Sequence, residues 1–307
     1  MANNYSYHSL STRLGNVKAQ LITIKGVIRQ QWQIAKSYLV NTSIFIFVPL
    51  ILAALPILLY RALDVDPNTI SANFGFTSGQ AQHLNAYIIF GVNMWMLILA
   101  ILWDFSTYLR DEQYTGTLES LLLSPAKRYS LLIGRALFSI TFNVFIALLS
   151  IIVSITIFDF TLFFTSTFLH LLLALMIVII GCFPMMGLSY LIGALVLKFK
   201  EVYSFINTLQ WFFGVIMGIY APFTTLPLIL KVLGFIFPGT WSVTDIRAIT
   251  LGTPPMMMLL GLKSIGTPIL VDTVIVILFG LFWALVGYAL FSKVEMRLKK
   301  REGLSEY

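Results

Sequence analysis

The stretch Arg110–Gly134, RDEQYTGTLESLLLSPAKRYSLLIG, decides how the rest of the chain is read. Arg110, Asp111, Glu112, Glu119 and Lys127 all fall in it, while Leu118, Leu121, Leu122 and Leu123 keep one side apolar. Long apolar segments flank it on both sides. A short polar and amphipathic helix in that setting is expected at the foot of a membrane bundle, offering charge to a soluble partner.

Composition fits that setting. The chain has 307 residues, 58% hydrophobic and only 11% charged. Soluble domains carry roughly 25% charged residues, so a polytopic membrane protein is expected rather than a large soluble core. The net charge of +7 does not point to nucleic acid. The basic residues lie beside apolar runs, where the positive-inside rule and the anionic inner leaflet account for them. The single cysteine, Cys182, excludes an intramolecular disulfide and reads as a buried structural thiol. The first 42 residues are polar or amphipathic and lack the apolar stretch of a cleavable signal, so the N-terminus is expected to stay in the cytoplasm.

A crossing helix needs about 20 apolar residues. The runs without charge supply six: Ser43 to Tyr60, Ala86 to Trp103, Ala136 to Phe158, Leu169 to Leu197, Val202 to Tyr220 and Thr273 to Phe291. With the N-terminus inside, only Arg61, Lys231, Arg247 and Lys263 of the 20 Lys and Arg fall in outer connections. That bias places both termini in the cytoplasm. The expected fold is therefore all-α, with six transmembrane helices in the plasma or inner membrane. Residues 1–42 form a cytoplasmic N-terminus, 43–292 the transmembrane domain and 293–307 a basic tail. Within 13–36, Leu14, Val17, Leu21, Ile24, Ile28, Trp32 and Ala35 recur at helical spacing, predicting an amphipathic helix along the inner surface. The outer segment 221–272 contains PLILKVLGFIFP between Pro227 and Pro238, which reads as a re-entrant or interfacial half-helix capping the bundle.

The chemistry that is absent narrows the function. The chain has no G-x-x-x-x-G-K-[ST] loop, no H-E-x-x-H and no C-x-x-C, and His8, His83 and His170 are widely separated. No catalytic residue and no metal site are expected. The six spans as delimited carry no Asp, Glu, Lys or Arg, and ion-coupled transporters usually hold an intramembrane ionisable group. Energy for any transport is thus expected to enter from outside the bilayer. Trp95, Phe138, Phe142, Trp211 and Phe212 are the candidate lining of an apolar pathway, although most aromatics in the spans read as belt or packing residues.

Arg110 to Pro125, with its charged start, Gly116-Thr117-Leu118-Glu119, a leucine run, Pro125 and then Gly134, resembles the signature of ABC-2 type transporter permeases. Two later stretches are similar to the drug-exporter branch of that family. One is Gly218-Ile-Tyr-Ala-Pro-Phe with Leu226-Pro227, Phe237-Pro238, Arg247 and Gly252; the other is the tail Glu295 to Leu304. The resemblance covers residues 13 to 303. It implies a permease subunit that pairs with a second permease, identical or homologous, and with two copies of a soluble ABC ATPase. That ATPase would bind ATP and Mg; this chain would bind no cofactor. The resemblance makes 110–134 a coupling segment, with Arg110, Glu112, Gly116, Thr117, Leu118, Glu119, Leu122 and Pro125 as the coupling residues. Thr117 suits a helix cap, Glu112 and Glu119 suit pairing with ATPase cations, and Pro125 suits a helix end. Export of an apolar or amphipathic compound is the expected function. The alternatives are a lipid-linked polysaccharide exporter and a non-transporting membrane scaffold or immunity protein.

Overall fold

A backbone in lipid must satisfy its own hydrogen bonds, and among the described residues every regular element is helical. The structure is a computed structural model that describes residues 13–63, 83–114, 116, 128–158, 168–198, 202–261 and 268–300. The helices are α1 (Arg13–Ser37), α2 (Leu39–Ala62), α3 (His83–Tyr114), α4 (Arg128–Phe158), α5 (Phe168–Lys198), α6 (Val202–Ile216), α7 (Leu228–Ile236), α8 (Pro238–Leu251), the single turn α9 (Met256–Leu259) and α10 (Pro268–Lys300). Five of them contain stretches long and apolar enough to cross a membrane: Ser43–Ala62, Leu84–Asp104, Ile133–Phe158, Leu172–Gly193 and Pro268–Leu290. The chain is thus an all-helical protein built for multiple membrane passes.

Helix α3 is the axis of the bundle. In its apolar stretch 83% of residues are buried, against 17% in that of α10. Helices α2, α4, α5, α6 and α8 all pack on it. Outer helices instead turn aliphatic stripes outward, such as Leu270, Val274, Leu278, Leu281 and Leu285 along α10. In lipid that exposure carries no penalty, because the tails are as apolar as leucine. What holds α10 to the bundle is close approach to α5. A Cβ at Gly187 would meet the backbone of Trp283 and Ala284, and one at Gly287 would meet the Gly187 carbonyl. Small residues at such a crossing let the two backbones touch, which gains dispersion contact over the whole seam.

Helix α1 forms where the apolar periodicity predicts it. Its Trp32 ring lies edge-on to Phe138 of α4 at 6.4 Å, and a Cβ at Gly134 would press on Val27 and Ile24. The helix therefore packs on the start of α4, while Leu21 and Ile22 stay exposed. Cys182 is fully buried and donates to the Val178 carbonyl at 3.1 Å, the structural role expected of it.

Three sequence expectations are corrected. The fifth expected crossing, Val202 to Tyr220, is helical only to Ile216, because the chain turns at Met217–Tyr220 with Gly218 at φ 64°. Its apolar part, Ser204–Ile216, is shorter than a straight crossing requires. The half-helix is present as α7, and it continues into α8 across a 91° bend at Phe237, so that the pair forms a broken span or a re-entrant loop. Nearly every residue of α8 is buried, and the helix packs on α3, α5 and α10. Helix α10 begins at Pro268, five residues before the expected Thr273, so Asp272 lies inside an apolar stretch. Asp245 and Arg247 are likewise buried in α8. The expectation of apolar helices without charge fails because a run delimited by charged residues ends where a helix with a buried charge continues, as α10 does through Asp272.

Candidate functional site

Two places carry the residues singled out from the sequence. The first is the segment between α3 and α4. Helix α3 runs on to Tyr114 and α4 starts at Arg128. Arg110 and Glu112 therefore stand on the last turns of a long helix rather than on a separate short one. Gly116 follows two residues after that helix ends, exposed and at φ 70°, a left-handed conformation suited to glycine. Thr117, Leu118, Glu119, Leu122 and Pro125 lie outside the described residues.

The second place is a cavity of about 740 Å³ between α1, α2, α3, α4 and α6. Trp95 from α3, Phe138 and Phe142 from α4 and Trp211 from α6 all line it. Four of the five aromatic candidates thus converge on one chamber. The fifth, Phe212, is not among the lining residues; it lies tilted against Phe213 at 6.4 Å.

Each wall is fixed by a specific device. The Trp95 indole N–H donates to the Gln210 carbonyl at 3.0 Å, and its ring lies 5.3 Å from that of Trp211. Trp103 donates its indole N–H to Gln210 Oε1 at 3.1 Å, and Gln210 Nε2 donates to Asn207 Oδ1 at 3.0 Å. Helix α6 is thereby tied to α3 by polar bonds at one end of the chamber. On the opposite wall Phe138 and Phe142 stack at 5.3 Å with 14° between their planes, as one turn of helix spacing allows.

Polar groups punctuate this apolar lining. Asn93, 3% exposed, donates from Nδ2 to the Ile89 carbonyl at 2.9 Å. Its Oδ1 has no hydrogen-bond partner in the protein, so a buried acceptor remains open beside the chamber. Asn143 is anchored by Nδ2 to the Ser139 carbonyl at 2.9 Å. Asp104, Arg135 and Gln31 add charged and polar groups to the lining. A concave, mainly apolar chamber of this volume with several aromatic rings and a few polar groups suits a small amphiphile. Among the described residues no group of three or more His, Cys, Asp or Glu is placed to hold a metal ion.

No protein-family model matches this chain, and no characterised protein matches it in sequence.

Sequence reasoning missed the buried polar residues of α8 and α10. Arg247 donates from Nε to the Tyr87 carbonyl at 3.1 Å, from Nη1 to Gly218 at 2.9 Å and from Nη2 to Ile219 at 2.8 Å. It joins three segments that are distant in sequence. The available signal was Pro238 and Gly252 bracketing PGTWSVTDIRAITL, a proline start and glycine stop that mark a helix.

Proposed function

We propose that this chain is the membrane permease subunit of an ATP-driven ABC-2 type exporter that moves an apolar or amphipathic compound out of the cytoplasm. The reading rests on the Gly116–Pro125 motif, which falls in the connection between the second and third apolar crossings, α3 and α4. In this reading the connection seats in a groove of a separate ATPase, and nucleotide-driven closure of the ATPase pair tilts α3 and α4. Asp104 of α3 and Arg135 of α4, which both line the chamber, support this reading, because they put polar groups on the two helices that would move. Cargo would enter there, set its apolar body between Trp95, Trp211 and the Phe138–Phe142 stack, and leave outward when the helices shift.

The chain itself hydrolyses nothing in this scheme. ATP and Mg belong to the partner, and a second permease, identical or homologous, completes the pathway. A chamber of about 740 Å³ favours a small amphiphile over a polysaccharide chain.

The test is co-expression with a candidate ATPase and measurement of complex formation, ATP hydrolysis and export for Glu119→Arg. Reversal of that charge is expected to weaken association and uncouple hydrolysis from export. Unchanged association, hydrolysis and export would remove the role assigned to the segment.

A further inference from the structure

Helix α1 contains no acidic residue, and its cations are not scattered. At 3.6 residues per turn, Lys18, Lys25, Arg29 and Lys36 fall within about 40° of one another around the helix axis. All four are exposed. At 1.5 Å per residue the stripe runs for roughly 27 Å. Among the described residues no ion pair neutralises it.

Packing on α4 fixes which way the stripe points. A Cβ at Gly134 of α4 would meet Ile24 and Val27, and these two stand at least about 100° round the helix from every cation of the stripe. The cations are therefore turned away from α4. Large apolar side chains border them: Leu21, Ile22 and Trp32 are all exposed. The Lys36 ammonium lies 5.5 Å from the centre of the Trp32 ring, within the range of a cation–π contact. A face made to stay in water gains nothing from leucine, isoleucine and tryptophan beside its lysines. At a membrane surface both kinds of residue are used, because the cations reach phosphate while the apolar groups enter the acyl boundary. The apolar stretch of α2 begins at Ser43, seven residues after Lys36. The stripe thus ends close to the start of a crossing helix, which favours lipid headgroups over a soluble acidic protein.

We propose that the outward face of α1 is a docking surface for anionic phospholipid headgroups. Lys18, Lys25, Arg29 and Lys36 take the phosphates, and Leu21, Ile22 and Trp32 enter the acyl boundary beside them. The surface needs neither an ATPase nor a cargo, so its test is separate from that of the exporter reading.

Brominated lipids quench tryptophan on contact and test this on the full chain in nanodiscs of mixed phosphatidylcholine and phosphatidylglycerol. The Trp32 signal is the difference between wild type and Trp32→Phe. It should be quenched several-fold more effectively by bromine on phosphatidylglycerol than by the same amount on phosphatidylcholine. Lys25→Gln combined with Arg29→Gln should remove most of that preference. So should about 1 M salt, where charges are screened beyond about 3 Å. Lys231→Gln, which removes a cation outside the stripe, should leave the preference unchanged. Lys18→Gln with Lys36→Gln serves as the second double variant should the first not fold. Equal quenching by the two lipids in the wild type, or a preference that survives either double variant, would overturn the proposal. So would an equal loss with Lys231→Gln. Trp32 quenched by neither lipid, but shifted in emission by soluble polyglutamate, would assign the face to an acidic protein and equally overturn it.

Discussion

The Arg247 guanidinium lies over the ring of Tyr87, 3.5 Å from its centre, and so fastens α8 to α3. Its donors also reach the Gly218 and Ile219 carbonyls in the turn after α6. A single buried cation thereby holds the bent segment in place through carbonyl dipoles and a π face rather than through a carboxylate.

Arg247→Met keeps much of the volume but orphans three buried carbonyl contacts. A buried carbonyl left without its donor costs roughly 1–3 kcal/mol. Thermal unfolding in detergent should show a large drop in midpoint, and the 236–251 region should become accessible to protease. Gly91→Ala should mimic the loss in part, because its Cβ would occupy the position of the guanidinium.

The α5–α10 seam predicts a steep size dependence. Gly187→Ala presses a methyl into the backbone of Trp283 and Ala284, an overpacking cost of roughly 1–3 kcal/mol. Gly187→Leu should abolish folded yield. Fluorescence-detected size exclusion of the two variants separates these outcomes, and equal yield for both would show the seam to be looser than its geometry.

Trp211 is 55% exposed, so Trp211→Ala should cost little stability. Loss of one stacking face is worth about 0.5–1.5 kcal/mol, or several-fold weaker binding of an aromatic amphiphile. Phe212→Ala, outside the chamber, should leave that binding unchanged. Quenching of the remaining tryptophans by a fluorescent amphiphile reads both variants.

Gly116 is exposed, whereas Cys182 is buried. In cells, Gly116→Cys should react with a membrane-permeant maleimide and resist an impermeant one, with Cys182 silent in the wild type. Labelling by the impermeant reagent would place the connection outside and sink the exporter reading together with the expected orientation of the termini.

Local patterns carried much of this. The α1 periodicity was legible because a surface helix shows its two faces in the order of its residues. Four of the aromatics lining the chamber could be nominated by residue type, but nothing in their spacing separated Trp211, which lines it, from its neighbour Phe212, which does not. That distinction depends on the rotation of α6, which the Trp95–Gln210 and Trp103–Gln210 bonds impose from another helix.

Residue order alone determined that this is a helical chain with several segments apolar enough to cross a membrane, and with a charged connection between two of them. Uncharged runs long enough for lipid and basic residues beside them are properties of consecutive positions, and hydrophobic transfer reads them directly. Tertiary structure decided which helix is central, where the chain bends at Phe237 and that Asp245, Arg247 and Asp272 are interior groups. A charge survives in an apolar interior only when distant backbone or side chains satisfy it, and those partners, Tyr87 for Arg247 and Met257 for Asp272, become neighbours only once the helices have packed.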